Sequence, residues 1–503
     1  MKTMIKLKSL LNHKWFFPVL MLYYGIFYIS FGEIYPFHSG LSADGWVYET
    51  FILHFTNSVF FDTYYVYRIL PPLLISFFLK LLSVEITEPN IAVAFQILNL
   101  VSISIACYFL KQILVLLKIS FKNQLLSFAL FIFNFGVIKY PFYLPVMTDT
   151  FALMLSTALL YYYLKNSIKG IVVCTMLLAF TWPMSYIQGL LLIAFPLSVF
   201  PRIAPPKWQK MVIYGVSVLY ILGLCIYYVF IEKFDCTVDH VMRIDRNLLP
   251  LSILGVMLFY FFFAELFLNK MLLDTSLFLK KLNYNRILIS IGVFITIFLI
   301  VYFLNPKPTP TYSAARTLRE PIIYSLIRPF ISLVADTSYL GIVVCLLLIF
   351  WKSFCKTVSQ MGWGIVAALA LNLYLFGVVP ESRRLINLLP WLIVFLVKSV
   401  NKYSFSNSFY IMVGLLSFAA SKMWLVLNIY DSTSTINLDK NGSIGFPGQL
   451  LWMNIGPWMN ELMYYVQGGV MLLFTGILFF MLYKIEVDEF NKLHVVRKYQ
   501  ILK

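Results

Sequence analysis

Long apolar runs separated by short polar breaks fill the chain from its first helix to residue 483. They fall at about 15–35, 91–117, 122–138, 148–165, 169–182, 186–201, 210–231, 249–268, 287–304, 338–351, 361–378, 386–399, 408–429 and 464–483. A bilayer core of about 30 Å takes around 20 apolar residues of helix, so the pattern predicts an all-α polytopic transmembrane helical bundle of about 12–14 spans. One multi-pass domain, 1–503, accounts for the whole sequence, with outer loops at about 36–90, 139–147, 305–337, 379–385 and 430–463.

The first outer loop is long and is patterned itself. "SADGWVYETFILHF" starts a short helix with Ser42 as its N-cap. Its Trp46, Tyr48, Phe51, Ile52 and Phe55 recur at helical spacing, which predicts a helix lying flat in the membrane interface. In "YYVYRILPPLLISFFLKLL", residues 64–82, Pro71 and Pro72 break any helix at its start. The apolar run after them is too short for a span and suits a helix packed at the surface. Counting it as a span would also put Lys111, Lys118 and Lys122 outside.

Composition supports the membrane assignment. Of 503 residues, 61% are apolar and 12% charged, whereas soluble domains carry about a quarter charged residues. The basic head before the first run, with no small-residue cleavage site before Glu33, reads as a retained first helix. The net charge of +17 is a matter of topology. With the N-terminus inside, about 25 of the 39 Lys and Arg collect in cytoplasmic segments, as the positive-inside rule requires, so no nucleic-acid partner is implied. The six cysteines show no C-x-x-C or metal spacing.

Acids show the opposite bias and gather on the outer side. The spans themselves are nearly free of charge. Lys422 and Glu265 are the exceptions, both near span ends where they can snorkel. Proton-coupled transporters keep ionisable groups on their pathways within the membrane, so this distribution favours chemistry or binding at the outer surface.

Three outer motifs carry a resemblance. "ADGWVY" with "YRILPPLL", "KYPFYLPVMTDTFALML" at 139–155, and "PESRRLINLLPWLIVFL" at 380–396 are similar to the signatures of the GT-C integral-membrane glycosyltransferases. These include polyprenyl-phosphate-sugar-dependent mannosyltransferases and the aminoarabinose transferase. The resemblance implies a GT-C-like fold and transfer of a sugar from a polyprenyl-phosphate donor to a glycan, lipid or protein acceptor at the extracytoplasmic face. On that reading Asp44 is the general base, matching the acid of the family's first outer loop. As an isolated residue it is equally an N-cap or turn acid in "SADG". Glu49 and Asp62 are second-choice acids. Asp149 binds acceptor, helps hold a metal or caps the helix that follows.

A leaving phosphate needs fixed positive charge. Arg383 and Arg384 stand outside against the positive-inside trend, and a guanidinium fork suits phosphate. Arg68, Arg316 and Arg319 are similar candidates, with Tyr67 and Glu381 completing the substrate-binding set. Tyr312, Glu320 and Arg328 lie in the same outer loop as Arg316. Only part of the family requires a divalent metal, and neither Asp44 nor Asp149 belongs to an Asp-x-Asp pair, so metal dependence stays open. The membrane implied is the cell (inner) membrane, or the ER membrane in a eukaryote, with both termini cytoplasmic. Three rival readings remain: a polysaccharide polymerase or ligase acting through later loops, a lipid or sugar flippase, and a non-catalytic scaffold.

Overall fold

The computed structural model describes residues 10–36, 38–41, 44–54, 63–231, 244–305, 314–429, 437–438, 444–445, 447–453 and 459–501. Ser42, Phe55, Asp62, Cys236, Tyr312 and Asn441 lie outside the described residues, as do the side chains of Arg316 and Arg319. Within the described set the secondary structure is helical except for a pairing of Asn437–Leu438 with Ile444–Gly445.

Six helices are long and apolar enough to cross a bilayer: Glu88–Leu116, Lys207–Val229, Leu249–Phe267, Tyr284–Leu304, Ile342–Ser359 and Glu461–Tyr483. A seventh is added if Phe121–Ile132 and Phe135–Tyr143, which meet at 68°, form one broken span. Further apolar helices of 10–17 residues, such as Phe16–Phe31 and Trp363–Phe376, pack among them. The chain is a multi-pass integral membrane protein.

Sequence reading and structure differ where a residue that stops one helix starts another. The run 122–138 is not straight, because Asn134 adopts an extended conformation and its side chain accepts the Gly136 N–H, capping a new helix. The run expected from 338 is interrupted at Gly341, whose φ of +65° ends Ile331–Leu340 before Ile342–Ser359 begins.

The centre of the bundle is the helix Leu389–Val400. It is apolar on nearly every face and buried over most of its length, as an interior helix must be. Ile342–Ser359 and Asp149–Leu164 pack against it. By contrast, Tyr284–Leu304 and Lys207–Val229 each have only 11% of their apolar window covered by protein, which leaves them facing lipid.

Helix Asp44–His54 does not stand clear of the rest of the protein. Tyr48, Phe51 and Ile52 are buried in an apolar cluster with Ile75 and Leu79 of Leu70–Leu81 and with Ile91 and Phe95, leaving Trp46 exposed. The prolines at the start of Leu70–Leu81 sit in its first turn, where their missing N–H costs nothing.

Nor does Lys422 snorkel. It is buried, and its ammonium donates to Ser338 O at 2.6 Å, to Ser338 Oγ at 2.9 Å and to Trp452 O. Beside it the Lys139 ammonium pairs with Glu33 at 2.7 Å and donates to Lys422 O and Leu425 O. The Glu33 carboxylate accepts the backbone N–H groups of Leu427 and Asn428. These contacts clasp the end of the first helix, the 135–143 bend and the segment after Asn407–Ser421.

Candidate functional site

The site begins with the first turn of helix Asp44–His54, where Asp44 is the leading acid. The Trp46 indole donates to Leu41 O at 3.1 Å and ties this turn down. Gly45 lets the backbone come close to the segment before Asp149: a Cβ there would meet Val146 O at 3.2 Å. The helix start is thereby pressed onto residues 145–149.

Arg68 arrives from the turn just before Leu70–Leu81. Its guanidinium lies between the rings of Tyr64, at 4.2 Å, and Trp182, at 4.3 Å. Nη1 donates to Asp44 Oδ2 at 2.9 Å and to the Tyr48 hydroxyl at 3.3 Å. The side chain is 5% exposed, and Nε has no partner. Stacked and enclosed in this way, Arg68 orients Asp44; a donor lipid has little of it to touch.

The third contribution comes from the tight turn Ser382–Leu388, which leads into Leu389–Val400 with Pro390 in its first turn. Positions three apart nearly eclipse in a 3₁₀ turn, so Glu381 and Arg384 fall on one side. Glu381 Oε1 accepts from Arg383 Nε at 2.7 Å, and Oε2 forms an ion pair with Arg384 Nε. Arg383 reaches across with Nη2 to Asp44 Oδ2 at 3.2 Å, while Nη1 meets only the Met147 sulfur at 3.6 Å. Tyr65 donates its hydroxyl to Asp44 Oδ1 at 3.3 Å. Two acids and three arginines from segments more than three hundred residues apart thus form one connected group.

Its electrostatics follow from these contacts. Burial pushes the Asp44 carboxyl up, but Arg383 and Arg68 beside it outweigh this and hold it below the usual carboxylate range. Glu381 behaves the same way: burial raises it, and Arg384 and Arg383 bring it below its ordinary value. Both acids are anions here.

Asp149 leads the helix Asp149–Leu164, is buried, and accepts no hydrogen bond on either oxygen. Arg383, Arg68 and Asp44 all lie within electrostatic reach of it. The capping expectation therefore fails: Thr148 takes the cap position, and no side chain accepts the free N–H groups.

Sequence reasoning missed Tyr339, whose buried hydroxyl is unpartnered and whose ring lies 5.3 Å from that of Tyr140 within reach of Asp149. Gly136 makes room for it, since a Cβ there would come within 2.5 Å of the Tyr339 ring. Asp336, one turn earlier on the same helix, also has a buried oxygen without a partner. On the sequence reading Asp336 closes the outer loop 305–337 and Tyr339 opens the run 338–351, and no motif there marks either as a site residue.

The remaining candidates are placed as follows. Tyr67 stacks parallel to Tyr186 with ring centroids 6.0 Å apart. Glu320 is buried within reach of Arg384. Arg328 is engaged elsewhere, by Glu461 at 3.7 Å and the Tyr464 ring. Glu49 faces His38 and Glu88, outside the group. Among the described residues no three of His, Cys, Asp and Glu come together in a metal-holding arrangement, so we derive no step through a metal. Compared with protein-family models, curated proteins and solved structures, the chain gives no match.

Proposed function

We propose that this protein is a GT-C-like membrane glycosyltransferase. It moves a sugar from a polyprenyl-phosphate donor to an acceptor hydroxyl at the extracytoplasmic face, and serves glycan assembly in the cell envelope or the ER lumen. The single observation that supports it is the ion pair between Asp44 and Arg383, which sets a carboxylate beside spare guanidinium donors at the outer end of the bundle. Asp44 takes the acceptor's proton while the acceptor oxygen bonds to the anomeric carbon. The bond from that carbon to the phosphate oxygen breaks, and its electron pair leaves with the phosphate. Arg383 and Arg384 stabilise the charge that develops there. Arg68 and Tyr65 hold the base in place, and Asp149 meets the substrate from below.

On this reading the shorter apolar helices complete about 12–14 spans, with local thinning of the bilayer and snorkelling flanks making up the missing length, and both termini are cytoplasmic. The test is a purified protein supplied with labelled lipid-linked sugar and candidate acceptors. Release of polyprenyl phosphate with label in the acceptor supports the proposal. Movement of the labelled lipid across a vesicle membrane without transfer would establish the flippase reading instead. Transfer lost on Arg316→Ala or Arg319→Ala but kept in Asp44→Asn would favour the polymerase or ligase reading.

A further inference from the structure

Asp44 poses a difficulty for its own assignment. A general base needs a free lone pair and adequate basicity. Here three of the four lone-pair sites are taken, two on Oδ2 by guanidinium groups and one on Oδ1 by a phenol, and the arginines hold the carboxyl below the ordinary range. The two arginine contacts are unequal. Arg68 is enclosed, stacked on two rings and bonded at 2.9 Å. The contact with Arg383 is longer, at 3.2 Å, and this arginine is more exposed.

Glu381 makes the second half of the argument. It binds Arg383 and Arg384 through their Nε atoms, one on each carboxylate oxygen. Two guanidinium groups splinted at Nε keep their terminal nitrogens for something else. On Arg383 those nitrogens have Asp44 and a thioether; Arg384, which is 25% exposed, has the Phe376 ring 5.8 Å away and Tyr64 and Glu320 within electrostatic reach. Two guanidinium groups held on one carboxylate can offer their terminal donors to a tetrahedral oxyanion.

We infer that the Arg383–Arg384 pair is an anion seat whose resident occupant is the carboxylate of Asp44, and that a phosphate-bearing ligand takes the seat by exchanging with it. The exchange rests on the transferase reading and deepens it. Arrival of the phosphate draws Arg383 away from Asp44 Oδ2, frees a lone pair and raises the basicity of that carboxylate. The base is therefore released only when a donor is present. Glu381 is a positioning residue, since it acts through the two arginines. No bond is made or broken in the exchange; one guanidinium changes anions.

The experiment measures binding to the full chain in phosphatidylcholine nanodiscs, with polyprenyl phosphate and inorganic phosphate as probes. Asp44→Asn removes the competing charge and keeps the shape, so it is expected to bind polyprenyl phosphate at least about tenfold more tightly than wild type while losing transfer. A gain for the lipid alone assigns the seat to a membrane-borne phosphate; a gain for both probes assigns it to phosphate generally, and either supports the exchange. Equal or weaker binding by Asp44→Asn overturns it. Should that variant not fold, infrared difference spectra of the wild type decide. A shifted carboxylate stretch on adding polyprenyl phosphate supports the exchange, and an unchanged carboxylate region overturns it. Binding by wild type with no gain in the variant defeats only the exchange, whereas no binding by either protein defeats the transferase reading as well.

Discussion

Two groups of buried charge in this bundle are built differently. In the Glu33–Lys139–Lys422 group the partners are mostly backbone: amide N–H groups for the acid, carbonyl oxygens for the lysines. In the Asp44–Arg68–Arg383–Glu381–Arg384 group side chains hold side chains, and capacity is left over at Arg68 Nε, at Arg383 Nη1 and on both oxygens of Asp149. The first arrangement consumes its charges in joining segments together. The second keeps donors and acceptors in reserve, at a cost in stability. A buried charge is therefore informative about function only once its partners are counted.

The comparison can be broken by separating stability from chemistry. The largest effect is expected at Asp44. Replacing it by Asn should lower transfer about 10²- to 10⁴-fold, the usual contribution of a general base, while the folded protein survives. Steady-state donor consumption by the purified variant checks this. Lys139→Met should do the opposite. It leaves the partly buried Glu33 without its cation and should cost about 3 kcal/mol or more of stability, read as a lowered Tm. Activity per folded molecule should be unchanged.

Asp149→Asn sharpens the contrast. A carboxylate that accepts no hydrogen bond contributes nothing to holding the fold, so the variant should match or exceed the wild-type Tm while transfer falls. A drop of about 2 kcal/mol or more would mean that the group is satisfied and structural.

A smaller effect concerns pH. Asp44 and Glu381 both titrate below their ordinary values in the folded protein, so the unfolded chain takes up protons first as pH falls. Their contribution to stability is full above the ordinary carboxylate range, near pH 4, and is lost as pH falls through the lowered values. The Tm difference between wild type and Asp44→Asn should narrow as pH falls through the ordinary carboxylate range, near pH 4, and below it. A constant difference would show that the arginines do not hold the carboxylate as an anion.

Residue types were legible from sequence; their partners were not. Asp44, Arg68, Glu381, Arg383 and Arg384 stand out because charge is scarce in this chain and arginine is unusual on the outer side. Their meeting depends on the packing of helices far apart in sequence, which periodicity does not encode. Lys422 was misread for the same reason. Its position near a span end suggests snorkelling, but the carbonyl oxygens that hold it come from residues 338 and 452. The helix expected in this loop is present over Asp44–His54, and its apolar face meets protein, because Leu70–Leu81 folds back to cover it. Span lengths were least legible: helix stops at Asn134 and Gly341 lie inside apolar runs.

The central claim is that the arginine-held carboxylate does chemistry and the backbone-held one does not. The direct measurement compares Asp44→Asn with Glu33→Gln for consumption of labelled polyprenyl-phosphate sugar, each normalised to folded protein. The account predicts near-complete loss in the first and wild-type turnover in the second, despite its lower Tm. Equal turnover in the two variants would contradict it.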